Sequence, residues 1–279
     1  MHEHHNWLMG APVTVALLLL ALDYIRGWFR LRNMSTEAVP LWRMAAFLAG
    51  LSAVWIAIGS PIASLDRELL SMHMIQHLLL MTIGAPLILL GTPMLPLMHG
   101  FARSLDRRLL FFPWRVVEDV RGLIVHPLFC WLFAAAVLIG WHIPAIYELA
   151  LESEALHHVE HASFLAAGLL FWRPVIPSSG RSLRPPRWSI VLYLFAATLP
   201  CDVLSAYLAF CERVIYGSYL NAPSRFGISP LQDQTFAGAL MWVCVTFAYL
   251  VPAAVITIRL LSQPDPQDRM QRSPRLRTV

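Results

Sequence analysis

The sequence predicts an all-α membrane protein with seven transmembrane helices, its N-terminus outside and its C-terminus in the cytoplasm. Of the 279 residues, 57% are apolar and 14% are charged, and the mean hydropathy is +0.59. Soluble domains carry about 25% charged residues, so a soluble class is excluded. Seven segments approach the roughly 20 apolar residues that a helix needs to cross the hydrocarbon core. They lie near 9–25, 41–60, 69–91, 125–143, 157–176, 188–210 and 234–259.

The arginines give the orientation. All but Arg67, Arg213 and Arg225 lie in the connections after the first, third and fifth predicted helices or in the C-terminal part of the chain. Cytoplasmic loops retain basic residues during insertion, so these connections are expected to be cytoplasmic. The arginines responsible for the net charge of +4 are then expected to orient the helices and to interact with anionic lipid headgroups. Membrane lipids are therefore expected partners, and nucleic acid is not.

The connections are too short for a second domain. Residues 1–261 are predicted to form a single seven-helix transmembrane domain. The longest connection, 92–124, is predicted to contain an interfacial helix through Leu105, Leu109, Leu110 and Trp114. Residues 262–279 lack aromatic side chains and are rich in Pro, Arg and Gln, so a disordered cytoplasmic tail is predicted there.

Histidines gather on the face that is poor in arginine. Nine of the eleven are expected there: His2, His4, His5, His73, His77, His142, His157, His158 and His161. Two pairs have i,i+4 spacing, which places both rings on one helix face. Because the third and fifth predicted helices both run inward from the outer face, the two pairs start at the same depth. A lone interfacial histidine is more often a hydrogen-bonding residue, but two such pairs predict a metal site. Its expected ligands are His73, His77, His142, His157, His158 and His161.

The surrounding residues bear on the choice of metal. Imidazole suits Zn, Cu, Fe and Ni, and thioethers favour Cu(I). Met72, Met74, Met81 and Met241 lie near the predicted site, so copper as Cu(I) is the expected ion. The four cysteines show no C-x-x-C spacing and are expected to pack in the core.

Four residues are candidates for supporting the ligands: Gln76, Glu160, Asp202 and Asp233. Asp202 lies inside the sixth predicted helix, where an ionisable group is costly and is a functional candidate. It is expected to orient a ligand histidine or to pair with an arginine. Asp233 opens the seventh predicted helix, and either orients a histidine or caps that helix.

Four blocks of sequence resemble the CtaG family of cytochrome c oxidase assembly factors. They are HMIQHLLLMTIGAPLILLGTP at 73–93, WHIPAIYELAL at 141–151, HHVEHASFLAAGLLFWRP at 157–174 and DQTFAGALMW at 233–242. The resemblance implies a non-enzymatic assembly factor of the bacterial cytoplasmic membrane that delivers copper to a haem-copper oxidase. Subunit I of the oxidase is then the expected recipient, and periplasmic copper donors are candidate sources. The positions carried over are His73, Gln76, His77, His142, His157, Glu160, His161 and Asp233.

The histidine pattern and the resemblance support one mechanism. In this mechanism copper is expected to be held by His73, His77, His157 and His161, and His142 is expected to enter or leave the coordination shell during stepwise transfer.

Three other functions are considered. Residues 157–161 fit the H-x-x-E-H motif of a zinc-dependent hydrolase, here an intramembrane one. Histidines on two facing helices also suit a haem-binding electron carrier. A copper or proton channel is disfavoured, because the segment LLLMTIGAPLILL at 78–90 offers almost no polar path inward.

Overall fold

The computed structural model describes residues 3–34, 40–101, 126–176, 187–220 and 227–262, with the backbone alone at 3–10, 62, 101 and 187. Of these residues 87% are helical and none lies in a strand, which confirms the all-α class. The predicted interfacial helix through Leu105 and Trp114 lies outside the described residues. So do nearly all of the predicted tail and the side chains of His2, His4 and His5.

The helices follow one another with short connections. In chain order they are α1 (Glu3–Met34), α2 (Leu41–Ile58), α3 (Leu70–Leu78), α4 (Ala85–Leu90), α5 (Met94–Phe101), α6 (Pro127–Trp141), α7 (Pro144–Glu152), α8 (Glu154–Trp172), α9 (Arg187–Phe210) and α10 (Pro230–Leu261). One turn of π-helix, Leu79–Gly84, joins α3 to α4 without a break, and 3-10 turns cover Pro61–Arg67 and Gly217–Tyr219.

Several of these helices can cross a membrane. By length and composition, five candidates lie within the described residues: Ala11–Met34, Leu41–Ile58, Leu70–Leu90, Trp188–Phe210 and Pro230–Leu261. The pair α6 and α7 adds a sixth if it is counted as one bent crossing. Large apolar side chains such as Val203, Phe210 and Phe247 are exposed along these helices, as lipid contact requires. The chain is therefore a multi-pass membrane protein. The predicted fifth helix, 157–176, corresponds to α8 and is not among the candidates, since histidine and glutamate lower the hydropathy of its first half.

The fourth predicted helix ends differently from the expectation. Instead of a loop after residue 143, α6 is followed by α7 at a bend of 75°. Pro144 explains the bend, because proline disfavours helical geometry at the preceding residue, and Ile143 is extended at φ −67° and ψ 122°. The chain turns sideways there and buries Tyr147 against the bundle.

Close helix contacts place the site. A Cβ on Gly168 of α8 would lie 2.8 Å from the Cβ of Ala85 and 2.9 Å from the Cα of Met81. Small residues at such positions allow membrane helices to approach closely. The indole N–H of Trp172, further along α8, donates to the carbonyl of Met81 at 2.9 Å. The continuous helical segment formed by α3, the π turn and α4 thus packs along α8.

Candidate metal centre

Helices α3 and α8 bring the two predicted histidine pairs together. Ring centroids lie 4.3 Å apart in each pair, and 5.5 Å and 5.7 Å apart across the helices, for His73 with His157 and for His77 with His161. Further on, Gly168 meets Met81, so both helices run in the same direction. All four rings are buried. The rings therefore face one another inside the bundle and not lipid.

Glu160 lies between the two histidines of α3. Its side chain is 0% exposed, and its Oε1 lies 3.3 Å from Nε2 of His73 and 3.3 Å from Nε2 of His77. Its Oε2 makes no hydrogen bond with any residue in the described part of the chain. In a tetrahedral site with bonds of 2.0–2.1 Å, neighbouring ligand atoms lie about 3.3 to 3.4 Å apart. The observed spacing therefore matches ligand atoms arranged around one ion.

Asp66 is a member of the site that the sequence interpretation missed. Its side chain is buried, and Oδ2 lies 3.3 Å from Nε2 of His157. Burial raises the pKa of the Asp66 carboxyl above its ordinary value of 3.8. The available signal was a carboxylate in a short connection on the same face as the histidines. Nothing in the sequence indicates that the 3-10 turn Pro61–Arg67 folds inward.

The donor atoms form two overlapping groups. Asp66, His73 and His157 are one group, and His73, His77 and Glu160 are the other, with all ligand atoms of a group within 4.8 Å of one another. His73 belongs to both. We call Asp66, His73, His77, His157, Glu160 and His161 the histidine–carboxylate cluster.

The hydrogen bonding of the cluster is incomplete. Among the described residues, four buried ring nitrogens of the cluster find no hydrogen-bond partner: Nδ1 of His73, Nδ1 and Nε2 of His77, and Nε2 of His157. Leaving a buried polar atom unsatisfied costs about 1 to 3 kcal/mol, and buried charges are normally paired or coordinate metals. Two buried carboxylates beside imidazoles with unused lone pairs thus fit a transition-metal cation. The donor set suits copper or zinc.

Gln76 contacts a candidate ligand directly. Its amide nitrogen donates to the carbonyl of Ala63 at 2.9 Å, so its Oε1 is left to accept from Nε2 of His161 at 3.1 Å. Nε2 of His161 therefore carries the hydrogen and Nδ1 carries the lone pair. Such a contact fixes the tautomer and the orientation of a ligand ring.

Asp233 accepts hydrogen bonds at the start of α3 and does not contact an imidazole of the described residues. It accepts from the amide of Leu70 at 2.6 Å and from the amide and hydroxyl of Ser71. A carboxylate at a helix N-terminus satisfies free amides and favours the helix dipole. Asp233 is thus a cap, as one alternative expected, but it caps α3. Its own helix, α10, is capped by Ser229 in a capping box with Gln232.

A chain of tyrosines covers the cluster. The ring of Tyr147 on α7 lies 4.9 Å from the ring of His73. The hydroxyl of Tyr219 donates to the carbonyl of Asp66 at 2.7 Å, so Tyr147 donates to Tyr219, also at 2.7 Å. These bonds hold the turn that carries Asp66 against the cluster.

His142 stands beside the cluster. Its Nδ1 lies 2.7 Å from the carbonyl of Leu138 and its Nε2 is buried without a partner. Its ring lies 6.3 Å from that of His77. This neighbouring position is compatible with the exchangeable role predicted for it.

Two predicted residues lie outside the cluster. The His158 side chain is 66% exposed, and its Nε2 lies 3.7 Å from Oε1 of Glu154. It points away because neighbouring residues on a helix are about 100° apart. Asp202 is half-buried on α9 and makes no hydrogen bond or ion pair with the described residues, so it orients none of the described histidines and pairs with no described arginine.

Comparison with known proteins supplies relatives but no solved structure. The chain is 23% identical over 270 residues to uncharacterized proteins of Mycobacterium bovis and Mycobacterium tuberculosis, and 20% identical over 268 residues to one of Mycobacterium leprae. Each alignment covers 94% of this chain and 40% of the relative, so the chain spans less than half the length of these relatives. No solved structure matches.

The family comparison is more informative. The profile described as cytochrome c oxidase caa3 assembly factor matches residues 21–263. That range includes α3, α8 and every residue of the histidine–carboxylate cluster. The chain belongs to the family of cytochrome c oxidase caa3 assembly factors.

Proposed function

We propose that this protein binds copper, as Cu(I), at the histidine–carboxylate cluster and delivers it to a haem-copper oxidase during assembly in the bacterial cytoplasmic membrane. Membership of a family of cytochrome c oxidase assembly factors supports an oxidase as the recipient of the copper. The observation that carries the proposal is Glu160, a fully buried carboxylate with one oxygen between two imidazoles and the other unpartnered. An ionised carboxylate in such a place destabilises the fold unless it takes up a proton or a cation neutralises it.

In this proposal copper is the cargo and the protein is not an enzyme. The four histidines of the cluster hold the ion, while Asp66 and Glu160 supply negative charge. Gln76 fixes one ligand tautomer, and Asp233 fixes the start of the helix that carries His73 and His77. His142, with a lone pair beside His77, takes over as a ligand when the ion leaves. The proposed recipient is subunit I of the oxidase, and periplasmic copper donors are the proposed source.

The proposed topology has seven crossings with the cluster near the outer face. It counts α6 with α7 as one crossing and α8 as another. The polar residues of α8 that lower its hydropathy, His157, Glu160 and His161, are buried in protein. Ionisable groups in membrane helices usually face the bundle interior, so they do not prevent α8 from crossing. The arginine distribution supports an outer N-terminus.

The proposal is tested by metal analysis of the purified full-length protein. Wild type is expected to contain copper, and His73→Ala/His161→Ala is expected to lose it. The matched control is His99→Ala/His158→Ala, which removes two histidines outside the cluster and is expected to keep the metal. Oxidase activity in cells carrying the same variants should follow the copper content. Equal copper in all three proteins would contradict the proposal.

A zinc-dependent intramembrane hydrolase is the second candidate. The two carboxylates favour it, because histidine with aspartate or glutamate is a common ligand set for zinc. Bound zinc in place of copper, together with hydrolysis of a lipid or peptide that Glu160→Gln abolishes, would favour this function over copper delivery.

A further inference from the structure

A cavity of about 40 Å³ lies beside the cluster, on the side of the π turn. Its wall contains two histidines and four sulfur-bearing residues: Met74, His77, Met81, His142, Cys201 and Met241. All six are buried. The volume exceeds the roughly 10 to 15 Å³ that one small occupant such as water needs.

His142 has a lone pair that no described residue uses. A carbonyl oxygen only accepts hydrogen bonds, so Nδ1, 2.7 Å from the carbonyl of Leu138, must carry the hydrogen. Nε2 then carries the lone pair, and it is buried without a partner in a residue that is 6% exposed. The hydroxyl of Thr82, also in the cavity wall, donates its hydrogen to the carbonyl of Leu78 at 2.7 Å, so it has none left to donate to Nε2 of His142. His142, a residue of the cavity wall, therefore carries a nitrogen lone pair with no partner among the described residues.

The sulfur atoms come from separate parts of the fold. Met74 lies on α3, Met81 on the π turn, Cys201 on α9 and Met241 on α10. A methionine in a helix is usually a packing residue, but packing alone does not require four sulfur-bearing residues from four elements around one space. Thioether and thiolate ligands select soft ions such as Cu(I). π turns also occur frequently at functional sites.

The cavity differs chemically from the cluster. The cluster offers nitrogen and carboxylate oxygen, which suit Zn(II) and copper. The cavity wall offers sulfur and the imidazoles of His77 and His142, and none of the described residues that line it carries a carboxylate. His77 borders both, since its ring also lies 5.7 Å from that of His161.

We propose that this cavity is a second metal site, selective for a soft monovalent ion, with Nε2 of His142 and the sulfur atoms of Met81, Cys201 and Met241 as its main ligands. His77, shared with the cluster, provides a route for ligand exchange between the two sites. Exchange moves Cu(I) without changing its oxidation state, so no reductant is required. The cavity site extends the proposed function but does not depend on it, because its main ligands lie outside the cluster.

The test uses Ag(I) as the soft probe and Zn(II) as the probe for the cluster, each added to the purified full-length protein. The variant is Met81→Leu/Met241→Leu/Cys201→Ala. The control is Met72→Leu/Met94→Leu/Cys211→Ala, which removes the same number of thioethers and thiols away from the cavity. Methionine-to-leucine changes conserve volume and usually cost less than about 1.5 kcal/mol.

Wild type and control are expected to bind one more Ag(I) than the variant, with sulfur scatterers in its X-ray absorption spectrum. Binding of that ion should weaken in the variant by more than about 10-fold, while Zn(II) binding and thermal unfolding stay close to those of the control. His73→Ala/His157→Ala is expected to lose Zn(II) and to keep the Ag(I) of the cavity, which separates failure of the proposed function from failure of this inference. Equal Ag(I) binding by variant and control, or Ag(I) without sulfur neighbours, would overturn it.

Discussion

Two buried regions of the molecule treat polar groups in opposite ways. The N-terminal core, formed by Tyr24, Trp28, Leu31, Phe47 and Leu51, contains a single hydroxyl. That hydroxyl, on Tyr24, donates to the carbonyl of Gly91 at 2.8 Å, and the ring stacks on Phe47 at 4.0 Å. The histidine–carboxylate cluster is equally buried but leaves four ring nitrogens and one carboxylate oxygen unpartnered.

The difference separates a core that serves folding from one that serves binding. A core that only packs is most stable when every polar atom is satisfied. A cluster that keeps unsatisfied ligand atoms gives up stability in the absence of its ion and regains it on binding. Substitutions should therefore have different consequences in the two regions.

The largest effect is expected from adding a methyl group to the helix contacts. A Cβ on Gly27 would lie 1.7 Å from the carbonyl oxygen of Pro96, and one on Gly168 would lie 2.8 Å from Ala85 Cβ. Gly27→Ala should destabilise the protein by about 3 kcal/mol and Gly168→Ala by about 1 to 3 kcal/mol. Thermal unfolding in detergent and metal titration of the folded fraction measure both effects. Only Gly168→Ala should also weaken metal binding, and loss of metal binding in folded Gly27→Ala would contradict the division into two regions.

A smaller effect is expected at Asp66. Asp66→Asn removes a charged group next to His157 and should weaken metal binding about 10- to 100-fold. Glu154→Gln, outside the cluster beside His158, is the matched control and should leave the affinity unchanged. Isothermal titration of the metal-free protein checks both variants, and equal affinities would remove Asp66 from the site.

The same residue predicts a pH dependence. Because burial raises the pKa of Asp66, this carboxyl keeps its proton up to a higher pH in the metal-free folded protein than in the unfolded chain. Protonated Asp66 therefore stabilises the metal-free protein most below pH 3.8, the ordinary pKa of the group. This stabilisation is lost as the pH rises through the higher pKa of the folded protein. Metal competes with the same proton, so metal affinity should fall on acidification from a higher pH than for an exposed aspartate. The pH profile of metal affinity in Asp66→Asn should be flatter, and an unchanged profile would contradict the assignment.

Two substitutions are expected to change the free energy of unfolding by about 1 kcal/mol in opposite directions. Tyr24→Phe leaves the carbonyl of Gly91 unsatisfied and should lower the free energy of unfolding by about 1 kcal/mol. Glu160→Gln removes a buried carboxylate that lacks a counterion and should raise the stability of the metal-free protein by a similar amount. Thermal unfolding with a metal chelator present compares them. A destabilising Glu160→Gln in metal-free protein would mean that this carboxylate serves folding.

The smallest effect is expected at His158. His158→Ala changes an exposed side chain, and such substitutions usually stay within about 0.5 kcal/mol. Stability and metal content should both match wild type, whereas His161→Ala on the same helix loses metal. A loss of metal in His158→Ala would place the ion on the other face of α8.

The sequence alone predicted the helical class and the residues of the two pairs. Apolar runs of sufficient length define membrane helices, and i,i+4 spacing places His73 with His77 and His157 with His161 on common faces. These are local properties of a helix, so they need no knowledge of neighbours. The same local rule leaves His158 on another face of the helix, where its side chain is exposed.

Only the tertiary structure decided which groups meet. Asp66 lies on a short turn whose direction depends on its contacts with Tyr219, and Asp233 caps a helix more than 160 residues earlier in the chain. The cavity between α3, α9 and α10 likewise follows from packing. A sequence specifies the periodicity within each helix, whereas distances between helices arise from side-chain packing among distant segments, which no local pattern encodes.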